Sequence, residues 1–438
     1  MIVTVSFVGL LELFGEVFLI PSLSSSILVP IIITPWYIDR YVVETERNGY
    51  YEAVFRLSTT LFVSVLAFIF MSYDPLVTFV VVNPETWLVL VGVVLYFGRS
   101  ARYTLIDKQR FNRFFNKRTD PMSIQIRNRN YIAKYNSQIL FNLVNKFDMK
   151  EQFAKWNVPT PELLGVIDSE QQVGELMKRF AEEPEFENGF VIKPSASFGG
   201  KGIQVIRARD NDGNFVIGSN TYAPQALEKE IRKILQGEYL TSQTMNDRDI
   251  VLIEERVVNH PDLEKISTGL PDVRVIVFRG IPVLAMMRLS TKASQGLANL
   301  KQGAIGAAVR LSDGLVYRAE IKKHEIERHP DTGEQIVGFQ LENWPQILAT
   351  AALAQKSSGL GYAGVDIVID ERNRILLLEV NKRPGLEIQN ITQSSLLERF
   401  EMIEEQDLDA SDLSPIAAAR MGMELATNYW EKEVSTNE

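Results

Sequence analysis

The stretch GVDIVIDERNRILLLEVNKRPG, residues 364–385, reads as two apolar strands joined by a turn at Glu371–Arg374. Glu379 and Asn381 stand at i and i+2 of the second strand, so their side chains point to one face. An antiparallel pairing through that turn sets Asp366 of the first strand beside Glu379. Three oxygen donors then converge with no nitrogen or sulfur among them, which suits Mg²⁺ bound together with a nucleotide's phosphates. Most acids spaced in this way are solvated turn or edge residues. Here apolar runs bury everything around them, and the acids need a partner.

Upstream, VIKPSASFGGKGIQVI, residues 191–206, ends a strand at Lys193 and enters a loop of small residues, Ser195, Ser197, Gly199, Gly200 and Gly202, that also holds Lys201. Glycines let backbone amides approach phosphate oxygens closely, and the two lysines supply positive charge. The loop is not a Walker A loop, because GK[ST] is missing and a strand follows it. A glycine-rich hairpin with no ligand has the same pattern. IVLIEERVV, residues 250–258, is an apolar strand ending in Glu254 and Glu255. PDVRVIVF, residues 271–278, puts Asp272 and Arg274 on one face of a strand, with Arg288 and the segment ANLKQGAIGAAV (298–309) after it. Arg274, Arg288 and Lys301 form a cationic cluster suited to a carboxylate and a developing phosphoryl charge. Salt bridging with Asp272 explains part of that cluster equally well.

The 438 residues suggest two or three domains. Lys and Arg number 46 against 55 Asp and Glu, so the chain lacks the basic footprint of a nucleic-acid binder. With no cysteine, disulfides, Cys-ligated zinc, iron–sulfur clusters and a cysteine nucleophile are excluded. His260, His324 and His329 are too few and too scattered for a tri-histidine metal site.

Charge and apolarity are segregated along the chain. Residues 1–98 carry eight acids and three bases between long apolar runs, and the 17 residues between Arg56 and Asp74 are uncharged. They read as a transmembrane domain of three or four helices, the hairpin Leu57–Gly98 being its best-defined part. Core helices of a soluble domain are the alternative, but such helices rarely lack a polar face. A secretory signal is not expected, since the start has no basic region or small-residue cleavage site. Glu12 and Glu16, one helical turn apart, suit a frayed or interfacial first helix. Residues 99–150 then hold twelve bases and three acids. By the positive-inside rule this side is cytoplasmic, giving a multi-pass inner-membrane protein. Phe111, Phe114 and Phe115 interleave the bases, as in a helix lying on an anionic leaflet. From Glu151 onward the chain reads as α/β, with helices at Ala226–Leu235, Ile347–Ser357 and Ser414–Asn428, the last having Pro415 in its first turn.

Taken in order, these features resemble the ATP-grasp superfamily of carboxylate–amine ligases over about Asn130–Gln389. Asp366, Glu379 and Asn381 match its Asp then Glu-x-Asn pattern, and Lys193 with Ser195–Gly202 matches its lysine and glycine loop. Lys146, ahead of NVPTP (157–161), corresponds to an earlier phosphate-binding lysine, with Asn145 where an aspartate often precedes it. DVR, ANLKQGA, EVNKRPGLEIQN, HPDTG (329–333) and GYAGVDIVID look most like the RimK-type α-L-glutamate ligase-like, sugar-transfer-associated branch. Residues 30–110 resemble the last helices of seven-helix membrane proteins usually fused to an inactive transglutaminase-like domain.

The resemblance implies an α+β ATP-grasp fold, two α+β subdomains gripping ATP, preceded by the α-helical transmembrane domain. The expected organisation is a transmembrane domain (1–98), a basic juxtamembrane linker (99–129), the ATP-grasp domain (130–410) and a helical tail (411–438). The implied cofactors are ATP and Mg²⁺, with two ions. Lys146, Lys193, Ser195, Ser197, Gly199, Gly200, Lys201 and Gly202 would hold phosphates, with the adenine near Glu254, Glu255 and Val257. Asp366, Glu379 and Asn381 would hold the metal, and Arg274, Arg288, Asn299 and Lys301 the reacting groups. The activity implied is amide formation through an acylphosphate, adding glutamate or a similar amino acid to a peptide, protein or envelope precursor. A catalytically silent nucleotide-binding regulator of a membrane assembly, or a ligase acting on a glycan precursor, are the alternatives. Expected partners are the amino-acid and carboxylate substrates, the bilayer and a membrane protein of the transglutaminase-associated type, but no nucleic acid.

Overall fold

The computed structural model describes scattered residues between Ile38 and Gly92, then Tyr103 and residues 105–116, 119–136, 146–197, 200–218, 220–240 and 249–431. The chain divides into two units, Met1–Ala101 and Arg102–Glu438. In the first, helix α1 (Asp74–Val82) starts with Pro75 in its first turn and exposes Phe79, Val81 and Val82. Among the described residues no helix is long and apolar enough to cross a membrane. Residues 1–37 lie outside the described residues, and the hairpin Leu57–Gly98 expected from the sequence is described only in part.

The second unit begins with two short helices, α2 (Leu105–Arg110) and α3 (Asn112–Asn116), followed by α4 (Lys146–Lys155). A six-stranded sheet comes next, with strands β1 (Leu163–Ile167), β2 (Phe190–Pro194), β3 (Gln204–Arg209), β4 (Phe215–Ile217), β5 (Asn220–Tyr222) and β6 (Val251–Glu255) in the order β1-β6-β2-β3-β4-β5. Helices α5 (Val173–Glu182) and α6 (Pro224–Leu235) cover one side of it. Val173, Leu176 and Phe180 recur at helical spacing, as do Leu227, Ile231 and Ile234, and all pack on Phe190, Ile192, Ile206 and Ile253.

The larger sheet has seven strands: β7 (Asp272–Phe278), β8 (Ile281–Leu289), β9 (Ile305–Val309), β10 (Val316–Ile321), β11 (His324–Ile326), β12 (Tyr362–Ile369) and β13 (Ile375–Asn381). Their order is β11-β10-β9-β8-β7-β12-β13, and every described pairing is antiparallel. Period-two alternation divides the side chains between two cores. Val273, Val275, Ala285, Met287, Val365 and Ile367 face the core roofed by helix α7 (Trp344–Ser358). Ile276, Phe278, Leu284, Met286 and Tyr362 face the other core, with α8 (Glu387–Thr392) and α9 (Leu396–Glu405). The final helix α10 (Pro415–Leu425) has Ser414 as its cap, the hydroxyl accepting from Ala417 N at 3.3 Å, and Pro415 directly after it.

The helices just past the expected membrane region correct one reading. Phe111 and Phe114 do not lie on a leaflet. They are fully buried in the second core with Leu386 and Ile388, and Phe115 packs against it. Polar bonds fasten the same segment: Arg110 to Glu387 at 2.6 Å and Arg113 to Glu320 at 3.1 Å. An apolar stripe between bases looks the same whether lipid or protein covers it.

Candidate active site

The turn between β12 and β13 is built by Asp370, whose Oδ1 accepts from Arg372 N and Arg374 N at 3.0 and 2.7 Å. It sets the register so that Asp366 pairs with Glu379 and Gly364 with Asn381, with a bulge between Asp366 and Ile367. On its other side Asp366 lies opposite Arg274 of β7, and Asp272 lies opposite Arg288 of β8.

These four residues form one buried network. Arg274 donates Nε and Nη2 to the two Asp366 oxygens at 2.6 and 2.5 Å. Arg288 does the same to Asp272, both at 2.6 Å, and reaches Asp366 at 2.9 Å. Asn381 Nδ2 adds a bond to Asp366 at 3.1 Å. Burial disfavours the Asp366 carboxylate, but the charges of Arg274 and Arg288 outweigh it and hold its pKa below the ordinary value. For Asp272 burial prevails over Arg288, and its pKa is raised. Among the described residues the Glu379 carboxylate makes no hydrogen bond.

The six-stranded sheet supplies a second charged cluster. Glu254 lies opposite Val191, diagonal to Lys193 on the same face. It pairs with Lys193 at 2.6 Å and also closely with Lys150 of α4. Burial opposes its charge, but Lys193 and Lys150 together pull its pKa below the ordinary value. Lys150, by contrast, is lowered, because burial outweighs its share of a single carboxylate. Lys146, one helical turn earlier, donates to Ser197 O at 3.1 Å. Burial lowers its pKa too; Glu379 is the strongest opposite charge acting on it, and Lys193 opposes that help. Two lysines on one carboxylate and a third beside them leave positive charge for an anion.

The first residues of the loop between β2 and β3 lie beside this group. Asp249, buried, accepts the Ala196 amide at 3.0 and 3.2 Å, and Ser195 Oγ accepts from Phe147 N at 3.3 Å. Ser197 Oγ is buried without a hydrogen-bond partner. Gly200 and Gly202 adopt φ of +80° and +73°, which an L side chain rarely tolerates. Gly199 lies outside the described residues.

The expected groups are thus distributed unevenly. Arg274 and Arg288 come together with Asp366, Glu379 and Asn381. Lys301 does not join them: it is exposed on the 3-10 turn Leu300–Gln302, which Asn299 caps by accepting Lys301 N at 3.1 Å. Glu254 serves as a lysine anchor, while Glu255 pairs with Arg374 at 3.0 Å and Val257 is half-buried. Sequence reasoning missed Asp249 and Lys150. The latter was within reach, since Lys146 and Lys150 share a helix face at i and i+4. A surface pocket of 420 Å³ lined by Lys134, Arg279, Glu404, Asp407 and Asp409 is a separate feature whose charges pair among themselves.

The donor chemistry fits a hard divalent cation. Glu379, Asn381 and Asp366 offer only oxygens on one strand pair, and Glu379 is uncommitted. Asp366 would have to share oxygens now given to the arginines.

Residues 126–405 match the family described as sugar-transfer associated ATP-grasp. The chain belongs to that family. Residues 1–115 of this sugar-transfer associated ATP-grasp protein match a second description, seven transmembrane helices usually fused to an inactive transglutaminase. No curated protein matches the chain. Among solved structures it is similar to the ATP-grasp ligase PsnB complexed with a minimal precursor, at 17% identity over 57% of this chain and 56% of that one, with a TM-score of 0.30. It is also similar to the VanG D-Ala:D-Ser ligase from Enterococcus faecalis (14%, 64% and 61%, TM-score 0.33). D-alanyl-alanine synthetase A from Vibrio cholerae is a third (13%, 64% and 66%, TM-score 0.34). The chain spans less than two thirds of the length of each.

Proposed function

We propose that this chain is a membrane-associated, ATP-dependent carboxylate–amine ligase working at the cytoplasmic face. The observation that carries the reading is the Asp366–Glu379 pairing on one strand pair with Asn381, held by Arg274 and Arg288, in a chain whose other sheet sets Lys193, Lys150 and Lys146 beside a glycine loop. The family membership favours the same activity.

In this reading Lys146, Lys193, Lys201 and the amides of Ser195–Gly202 hold the ATP phosphates. The adenine lies along Glu254–Val257. Asp366, Glu379 and Asn381 hold Mg²⁺, which when bound screens the charge of the phosphates. Arg274 and Arg288 hold the substrate carboxylate, whose oxygen attacks the γ-phosphorus as ADP leaves. Asn299 and Lys301, on the exposed turn before β9, are the further candidates for holding the resulting acylphosphate. The amine then attacks the acyl carbon, the C–O bond to phosphate breaks, and the departing phosphate takes the amine proton. No protein nucleophile is needed; positioning and fixed charge do the work. Glutamate or a related amino acid is the proposed amine, and a peptide, protein, glycan or envelope precursor the proposed acid.

The test is phosphate release from detergent-purified, full-length protein with Mg·ATP and pooled amino acids, with mass spectrometry for a new amide. Amino-acid-dependent ADP and a matching adduct are expected. Nucleotide binding without turnover in every pool would replace the ligase by a nucleotide-binding regulator.

A further inference from the structure

The turn after Asn381 gathers cations that the ligase reaction does not use. Lys382 and Arg383 follow Asn381 directly. Arg127 Nη1 donates to Pro384 O at 2.8 Å, and Arg110 arrives from α2, tied to Glu387 at 2.6 Å. The other bonds of Arg127 go to Asn128 Oδ1 at 3.1 and 3.0 Å. Among the described residues no carboxylate pairs with it. Its burial, with Arg383 and Arg110 as like charges, lowers its pKa. A half-buried guanidinium among other cations is unfavourable until an anion arrives.

The cluster borders the site face. Tyr362, Gly364 and Asp366 alternate along β12 on one side. Pro384 lies over Gly364, where an added Cβ would come within 2.6 Å of Pro384 Cβ. Tyr362 is wholly buried, its hydroxyl has no hydrogen-bond partner, and both Arg127 and Arg274 act on it. Arg127 also opens a π-helical turn, Arg127–Ile132, a backbone irregularity common at functional sites.

We infer that this turn binds the acceptor of the proposed ligase through a phosphoryl group, held by Arg127 together with Lys382 and Arg383. The inference rests on the ligase reading and names the acceptor's chemistry. A single carboxylate would offer Arg127 one pair of oxygens. A phosphoryl group carries about −1.5 to −2 charge and three acceptor oxygens, which matches a fork-shaped donor flanked by two more cations. The group is either a lipid headgroup or part of a soluble phosphorylated acceptor.

Full-length protein in neutral detergent, saturated with Mg·AMPPNP so that the nucleotide's own phosphate contacts are filled, is titrated with glycerol 3-phosphate, a plain phosphomonoester. One saturable site is expected, weakened about tenfold or more by Arg127→Gln and less by Arg127→Lys. AMPPNP affinity should be unchanged in both variants, which shows that the fold survives. Should Arg127→Gln fail to fold, Arg383→Gln carries the same comparison. Phosphatidic acid added to the micelles displaces the probe if the source is a headgroup and leaves it bound if the acceptor is soluble. Absent binding, or equal binding in the variants, by protein that holds AMPPNP overturns the phosphoryl site and leaves the ligase standing. Protein that does not bind AMPPNP removes both.

Discussion

Arg274 grips both carboxylate oxygens of Asp366, and Arg288 reaches the second of them while bound to Asp272. Asp366 therefore does two things: it donates to the proposed metal site, and it neutralises two guanidinium groups that are at most 14% exposed. Glu379, its cross-strand neighbour, has only the first task.

The two acids should respond differently to substitution. Asp366→Asn leaves the buried Arg274 without a carboxylate and Arg288 with Asp272 alone, and should cost about 3–5 kcal/mol of stability along with nucleotide turnover. Glu379→Gln should abolish turnover while changing stability by no more than about 1 kcal/mol. Thermal melts and phosphate release on the same samples check this, and full turnover in Glu379→Gln would remove it from the metal site.

Glu254 gives a pH dependence of definite sign. Its pKa is lower in the folded chain than in the unfolded one, because Lys193 and Lys150 outweigh its burial. Its contribution is therefore complete above the unfolded value of about 4.3 and drains away as pH falls through the folded value. Glu254→Gln should flatten the acid limb of stability against pH, measured by denaturant unfolding. At neutral pH it should cost about 3–5 kcal/mol, since two lysines lose their carboxylate. An unchanged acid limb would contradict the pairing.

The glycine loop separates backbone strain from space. Gly200 and Gly202 both have positive φ, but a Cβ at Gly200 meets nothing within 4 Å, whereas at Gly202 it would stand 2.7 Å from Pro194 Cγ and 2.8 Å from the Tyr239 ring. Gly200→Ala should cost about 1–2 kcal/mol from conformation alone. Gly202→Ala should cost more and weaken AMPPNP binding about tenfold, since Pro194 must move and the loop with it. Equal effects in a binding titration would mean that the Pro194 contact does not matter.

Phe111→Ala tests whether the segment after the membrane region belongs to the folded ligase body. A fully buried phenylalanine should cost about 3–5 kcal/mol on truncation. If Phe111 served only to rest on lipid, the melting temperature in detergent would not move.

Much of the larger unit is written locally. Apolar runs with turn residues between them yield β2, β6, β7, β12 and β13 within a residue or two, and Ser414-Pro415 marks the start of α10. The Asp366–Glu379 register follows from a short hairpin, because a tight turn leaves few ways to pair its arms. The glycine loop and the order of the motifs carry the family.

Other features depend on which strands become neighbours. Arg274 and Asp366 are 92 residues apart and meet only because β12 inserts beside β7 and not beside β11, its predecessor in the chain. Lys146 reaches the backbone oxygen of Ser197 only because α4 packs beside the loop after β2, 51 residues on. Phe111 illustrates the limit from the other side: its helix shows an apolar stripe, but a stripe does not say what covers it. Sequence by itself determined the elements, the hairpin that aligns the acids and the family, because backbone preference and side-chain period act over a few residues. Tertiary structure alone decided which arginines hold Asp366, that Lys150 shares Glu254, and that Arg127 stands among cations, because a charge's partners are set by distance in space.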